Sequence, residues 1–430
     1  MRVILFRAAL LSSAILMPAL AAMPAAAQSQ APGGGSFPGS ILLPGTNTSF
    51  KIGGYVKADL TYDFSAQQNV IGGILVSALP LDANVAGTVA GAGHSIHGVT
   101  QLTASESRFN IQTRTPTGYG EFKTFIEGDF TNPSGLTNGE GFKVNSNSSG
   151  FRLRQAYGTL GPFLAGQTLS LFRDGDAESE TLDFAGPIVA GASRQPQFRY
   201  TYDAGNGLTL AGSAENPQTQ VINQLGASTS SFSTGQGDKI PDFVAAIRWT
   251  QPWGHVAFHG LARDIYDHNG SDAAGAAISQ SQFGWGLALT GDWQPWGKDD
   301  LVFQIAGGDG IGRYTNVNGL VQDAVANLTT NNLQNLQIWL GELGYQHWWT
   351  DQLRSNVSGS FMHIGYPSGV LPATVLAVQN QSLVATYVNL IWSPIPQADL
   401  GVEYTWQERR VEDGQHGILN RVQFSSKFKF

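Results

Sequence analysis

The chain has no cysteine among its 430 residues. That excludes a disulfide scaffold and any metal or redox site built on thiolates. Charged residues are scarce at 13%, yet after residue 27 there is no apolar run of the roughly 20 residues that a membrane helix needs. Helical heptads are absent as well, so coiled coils and long amphipathic helices do not organise the chain. The formal charge of −8 argues against a nucleic-acid partner, which requires a basic stripe. The eight histidines show no paired-His or His-x-Glu spacing, so neither metal nor other cofactor is expected. No linker divides the sequence after its first fifty residues.

What is present is alternation. Phe50, Ile52, Val56, Ala58, Leu60, Tyr62 and Phe64 share one parity, and Lys51, Lys57, Asp59, Thr61 and Asp63 share the other. Successive strand side chains point to opposite faces, so this is an amphipathic strand, longer than the usual globular one. The pattern recurs near 105–115, 119–130, 151–160, 163–172, 196–204, 206–215, 242–251 and 254–266. It continues near 281–294, 299–311, 336–350, 352–364, 381–393, 397–411 and 419–430. Sixteen strands is an even number, as single-chain bacterial barrels have. The last strand puts Val422, Phe424, Phe428 and Phe430 on one face and Arg421, Gln423, Ser425, Lys427 and Lys429 on the other. A closing strand that ends in Phe resembles the C-terminal signature of bacterial outer-membrane β-barrels.

The connections alternate in length. Thr117-Gly118, Gly161-Pro162, Ala204-Gly205-Asn206, 251–254, 294–298, Thr350-Asp351 and 393–396 are tight, whereas 65–104, 131–150, 173–195, 216–241, 312–335 and 365–380 are long and polar. The predicted fold is therefore all-β: a transmembrane antiparallel β-barrel with short periplasmic turns and long extracellular loops. Seven tryptophans (249, 253, 293, 296, 348, 349 and 392) lie close to the short turns, as an interfacial aromatic belt would. At the other end, residues 1–27 read as a secretory signal. Arg2 and Arg7 start it, an apolar run from Ala8 to Leu20 follows, and Ala25-Ala26-Ala27 precedes the cleavage point. Its removal takes Arg2 and Arg7 with it, moving the charge from −8 to −10. Residues 28–49 form a Gly/Pro/Ser-rich flexible lead-in, and 50–430 form the barrel. The expected location is the outer membrane of a Gram-negative bacterium, with outer-membrane lipid and lipopolysaccharide as surroundings.

Phasing the strands points Arg108, Arg114, Lys123, Arg152, Arg154, Arg199, Arg248, Arg263, Arg354 and Arg409 inward, with Glu121, Glu127, Asp129, Asp242, Asp292, Glu342 and Glu403. Charges inside a closed barrel must meet water or partners, and sixteen strands leave an interior too wide for side chains to fill. A water-filled pore is expected. The third long loop carries Arg173, Asp174, Asp176, Glu178, Glu180, Asp183 and Arg194 and suits the inward-folded constriction loop of general porins. An acidic loop opposite wall arginines would orient charged solutes. Guanidinium matches carboxylate bidentately, favouring small organic anions. The candidate anion-binding residues are Arg108, Arg152, Arg154, Arg194, Arg199 and Arg354. The same arginines equally fit a second role, pairing with loop and wall acids to hold the loop down.

The segments 54–64, Ser107-Arg108-Phe109, 115–120 and Ile126-Glu127-Gly128-Asp129-Phe130 resemble the DcaP-like family of trimeric outer-membrane channels. So do Arg152-Leu153-Arg154-Gln155-Ala156-Tyr157-Gly158, Ala165-Gly166-Gln167-Thr168, Thr181-Leu182-Asp183-Phe184-Ala185-Gly186-Pro187 and 194–200. The motifs concentrate within 50–205. The resemblance implies a sixteen-stranded homotrimeric porin passing small organic anions, dicarboxylates especially. Family members can carry a coiled coil before the barrel, which 28–49 lacks. A general or sugar-selective porin is the alternative. A barrel enzyme would need a His–Ser or acidic dyad at the lipid-facing rim, and none is readable.

Overall fold

The computed structural model describes residues 34–65, 76–81, 98–132, 150–191, 193–230, 238–271, 277–315 and 321–430. The signal expected at 1–27 and the start of the 28–49 lead-in lie outside them. Sixteen antiparallel strands close into a barrel. The first eight are β1 (Ser49–Ser65), β2 (Arg108–Thr117), β3 (Gly120–Asn132), β4 (Gly150–Leu160), β5 (Phe163–Leu169), β6 (Arg194–Gly205), β7 (Leu208–Glu215) and β8 (Asp242–Gln251). The rest are β9 (Gly254–Ser271), β10 (Ala277–Trp293), β11 (Asp300–Asp309), β12 (Gln337–Trp348), β13 (Leu353–Gly365), β14 (Asn380–Ile395), β15 (Ala398–Val411) and β16 (His416–Lys429). Every strand expected from alternation is present, and the short turns share one rim. No helix among the described residues is long and apolar enough to cross a membrane.

The alternation produces a barrel that is apolar outside and polar inside. Along β1, Val56, Leu60, Tyr62 and Phe64 are exposed on the outer surface, whereas Lys57 is 2% and Asp63 0% exposed to the interior. That arrangement suits lipid around the wall. Six of the seven rim tryptophans face outward; Trp348 turns into the lumen and lies 5.3 Å from the Arg354 guanidinium. Closure joins β1 to β16, from Tyr55↔Lys429 to Ser65↔Asn420. Gly54 exchanges backbone hydrogen bonds with Phe430 at 3.1 and 3.2 Å. Its φ is 153°, and a Cβ there would stand 2.2 Å from the Arg108 carbonyl oxygen. Only glycine lets β1 lie this close between its two neighbours.

Three features depart from the regular pattern. First, β2 continues above a detour at 104–107 as Val99–Thr103, still paired with β1; alternation alone missed this piece, which the long 65–104 loop absorbed. Second, β4 carries a bulge. Glu127 pairs with Gln155 while the next residue, Gly128, pairs with Leu153, so Arg154 has no opposite number. The extra residue lets Arg152, Arg154 and Gln155 all turn inward. Third, the described part of the lead-in folds back on the barrel. Ile41 and Leu42 pair with Phe50 and Ser49, Ser40 Oγ donates to the Phe37 carbonyl at 2.6 Å, and Phe37 lies under Arg114 at 4.5 Å.

The interior is divided. On the β8–β14 side, inward positions become apolar: Val244, Ala246, Leu261, Ala288, Ala306, Leu340, Met362 and Leu383. Leu171, Phe172, Ile188 and Ala190 of the third loop pack on this surface, with Ile311, Tyr314, Val325 and Leu336 above. Loop residues 220–223, 228–230, 324–327 and 332–335 form a small four-stranded sheet over it. Beneath that sheet Arg263 is wholly buried between Asp242 and Asp323. Half of the expected wet interior is therefore a packed core, because apolar residues occupy the inward parity there. Charged residues line the wall from β1 to β6, and Arg248, Glu342, Arg354 and Glu403 point inward on the other side as well.

The outer face yields a direct expectation. Ile305 sits mid-strand on β11 and is exposed on the apolar exterior. Ile305→Arg should destabilise the barrel in bilayers by about 2–4 kcal/mol, the range for a cation at the membrane midplane. Guanidinium unfolding in lipid vesicles measures it, and a cost below about 0.5 kcal/mol would contradict the lipid-facing assignment.

Candidate functional site: an arginine-lined constriction

After Leu169 the chain turns into the lumen and follows the inner wall from β8 round to β1. Asp174 makes the first fastening: one oxygen lies 2.6 Å from His255 Nε2 and accepts from Thr290 Oγ at 2.6 Å, and the other accepts from Arg248 at 3.2 Å. Arg248 also donates to Asp176 at 2.6 Å. Next, the Ser179 N–H donates to Glu342 at 3.0 Å, and Arg354 holds Glu180 through two bonds of 2.6 Å. At the tip, Glu403 accepts the consecutive N–H groups of Leu182 and Asp183 at 2.7 and 2.9 Å. The Leu182 carbonyl accepts from Lys57 at 2.7 Å and Gln423 at 2.9 Å. On the way back, Gly186 O accepts from Tyr387 at 2.6 Å, and Ile188 and Ala190 donate to Ser360 and Gln304.

This geometry decides where the loop acids point. Asp174, Asp176 and Glu180 turn away from the β2–β6 arginines and pair with bases of the opposite wall. Glu178 bonds Arg173 within the loop. The Asp183 side chain accepts from the Ala185 N–H at 3.3 Å. The physical cause is the loop's own exposed backbone and carboxylates: once inside the barrel they need partners, and the far wall supplies them. Arg354 serves this tether. Arg199 donates to the Leu169 carbonyl at 2.7 Å and to Gln197 at 2.9 Å, supporting the loop's origin.

The remaining predicted arginines converge on the near side. Arg152 reaches Asp129 through bonds of 3.0 and 2.8 Å, and Arg154 bridges Glu127 at 3.0 Å and Asp129 at 2.8 Å. Arg108 comes no closer than 3.7 Å to Glu127, and its Nε has no hydrogen-bond partner. Arg194 has the guanidiniums of Arg154, Arg173, Arg108 and Arg152 as its charged neighbours; its Nε is unpaired, and among the described residues no carboxylate bonds it. Five guanidiniums therefore face four carboxylates, Glu127, Asp129, Glu178 and Glu106, the last of which is itself bonded to Lys57 and Tyr55. Phe184 projects from the loop tip against the paired arginines, its ring centroid 5.3 Å from Arg152 and 5.4 Å from Arg154. The sequence pattern points Glu403 inward without revealing that it holds the loop tip, and it does not single out Phe184, whose position between two fixed loop bonds is visible only in three dimensions.

Two of the fastenings, Asp174 and Glu180, resist acid. Burial alone would raise the Asp174 carboxyl, but hydrogen bonds from His255 and Thr290 and the charge of Arg248 hold it well below the usual range. Burial likewise opposes, and Arg354 outweighs it, at Glu180, whose pKa is also lowered. A depressed carboxyl contributes stability that is present above its unfolded pKa and lost only as pH falls through the folded value. The Asp174 and Glu180 attachments of the loop should persist at about pH 4, where ordinary carboxylates titrate. Single-channel current should be as quiet there as at neutral pH; flickering onset between about pH 5 and 4 would contradict it.

Comparison with known proteins agrees with this architecture. The chain is 24% identical over 284 residues to porin Omp2b of Brucella neotomae, covering 60% of this chain and 68% of that one. The crystal structure of the outer membrane channel DcaP of Acinetobacter baumannii superposes with a TM-score of 0.71 at 23% identity, over 89% of this chain and 97% of that one. An anion-selective porin from Comamonas acidovorans gives 0.52 at 10% identity, over 89% and 100% of the two chains. The model of the DcaP outer membrane protein family matches residues 42–430. A sixteen-stranded barrel with an inward third loop, matched along nearly its whole described length, belongs to the DcaP outer membrane protein family as an outer-membrane channel.

Proposed function

We propose that this channel is a passive diffusion porin that prefers small organic anions, dicarboxylates among them. The observation that carries the reading is the convergence of five guanidiniums in which Arg194 is bonded by no carboxylate among the described residues and Arg108 is held only by a 3.7 Å ion pair with Glu127. A passing carboxylate supplies what those two groups lack. It enters where water is already displaced on one side, so the attraction is stronger than in bulk solvent. Two guanidiniums set side by side suit a solute with two carboxylates better than chloride, since each can take one end. The homotrimer and the cleaved signal peptide implied by the family resemblance and the N-terminal pattern belong to the same proposal, with lipopolysaccharide around the rim.

The variants that test it are Arg108→Ala and Arg194→Ala rather than changes at Arg152 or Arg154, whose loss would strand the buried Asp129. Each substitution removes one charge-assisted contact worth about 1.5 kcal/mol, so block of the ion current by an added C4 dicarboxylate should weaken about tenfold. Titrating the dicarboxylate against single channels in planar bilayers reads this directly. Unchanged block in both variants would remove the anion site, and equal passage of neutral sugars and dicarboxylates would favour a general porin.

A further inference from the structure

We propose that Phe184 is a specificity-determining residue, a fixed apolar bar that sets the width of the constriction. This rests on the channel reading but not on the sign of the preferred ion. Phe184 is half-buried, while Leu182, Asp183 and the run from Pro187 to Gly191 are buried. The loop backbone on either side of it cannot yield. Leu182 and Asp183 are bonded to Glu403, the Leu182 carbonyl to Lys57 and Gln423, and the Gly186 carbonyl to Tyr387. Within the turn, Thr181 Oγ donates to the Asp183 carbonyl at 3.0 Å.

From this base the ring reaches the Arg152 and Arg154 guanidiniums that project from β4. Both guanidiniums it meets are themselves immobile, tied to Asp129 and Glu127 on β3. The contact distances of 5.3 and 5.4 Å to the ring centroid are those of cation–π packing. No solute passes between Phe184 and this pair. The ring covers the neutralised arginines and leaves Arg108 and Arg194 as the cationic edge past which ions move. Size selection by an apolar side chain and charge selection by Arg108 and Arg194 are thus separate jobs held by adjacent groups.

The test is single-channel conductance of Phe184→Ala and Phe184→Trp in planar bilayers, with heat-modifiable gel mobility confirming a folded barrel. Phe184→Ala should raise conductance about twofold and admit larger neutral solutes, and Phe184→Trp should lower it. Unchanged conductance in the alanine variant, or a shift in the same direction in both, overturns the proposal. Should the alanine variant fail to fold, the tryptophan variant decides: lower conductance supports the bar, and equal or higher conductance overturns it. A cation preference in the unmodified protein would count against the anion reading while leaving these conductance shifts to stand or fall alone.

Discussion

Everything in this molecule follows from one constraint: in lipid, a sheet edge has nothing to bond to, so the sheet must close. The β1–β16 seam meets that constraint, and Gly54 allows it by admitting β1 between Arg108 and Phe430 without a clash. Closure with sixteen strands fixes a lumen too wide for side chains to fill. A long chain segment must then enter, and once inside it must find partners for its backbone and its acids. The tether along β8–β16 answers that demand, and it consumes most of the loop's negative charge.

The cationic character proposed for the passage is what remains after those pairings. Had Asp174, Asp176 and Glu180 faced the near wall, their charge would have offset that of the β2–β6 arginines. Because Arg248, His255 and Arg354 hold them instead, Arg108 and Arg194 keep theirs. The net charge of the whole chain is negative, yet in the proposed site the guanidiniums outnumber the carboxylates around them. At short range in a low-dielectric lumen, the local arrangement outweighs the distant sum.

Strand number, rim assignment and the inward face of nearly every charged residue were legible in the sequence, because a period of two leaves no ambiguity once one face meets lipid. The inner pairing was not. Alternation reports that Arg354 and Arg152 both point inward, but not that one meets Glu180 and the other Asp129. That depends on how the loop crosses the barrel. The packed half was readable in principle: Val244, Ala246, Leu261, Ala288 and Leu340 sit on the polar parity, and a run of apolar residues there signals something packed against the wall. The bulge that aims Arg154 and Gln155 inward together leaves no trace in composition, since it is a matter of register. Phe184 lies in the family-like Thr181–Pro187 motif, yet only its fastened neighbours reveal its reach.

The central claim is that the Arg108 and Arg194 guanidiniums, not the acidic whole, control which ions pass. Reversal potential of the unmodified channel under a salt gradient at low ionic strength, where screening is weakest, tests it most directly. The account predicts a potential of the sign given by anion preference. A potential of the opposite sign, showing cation preference, would contradict it.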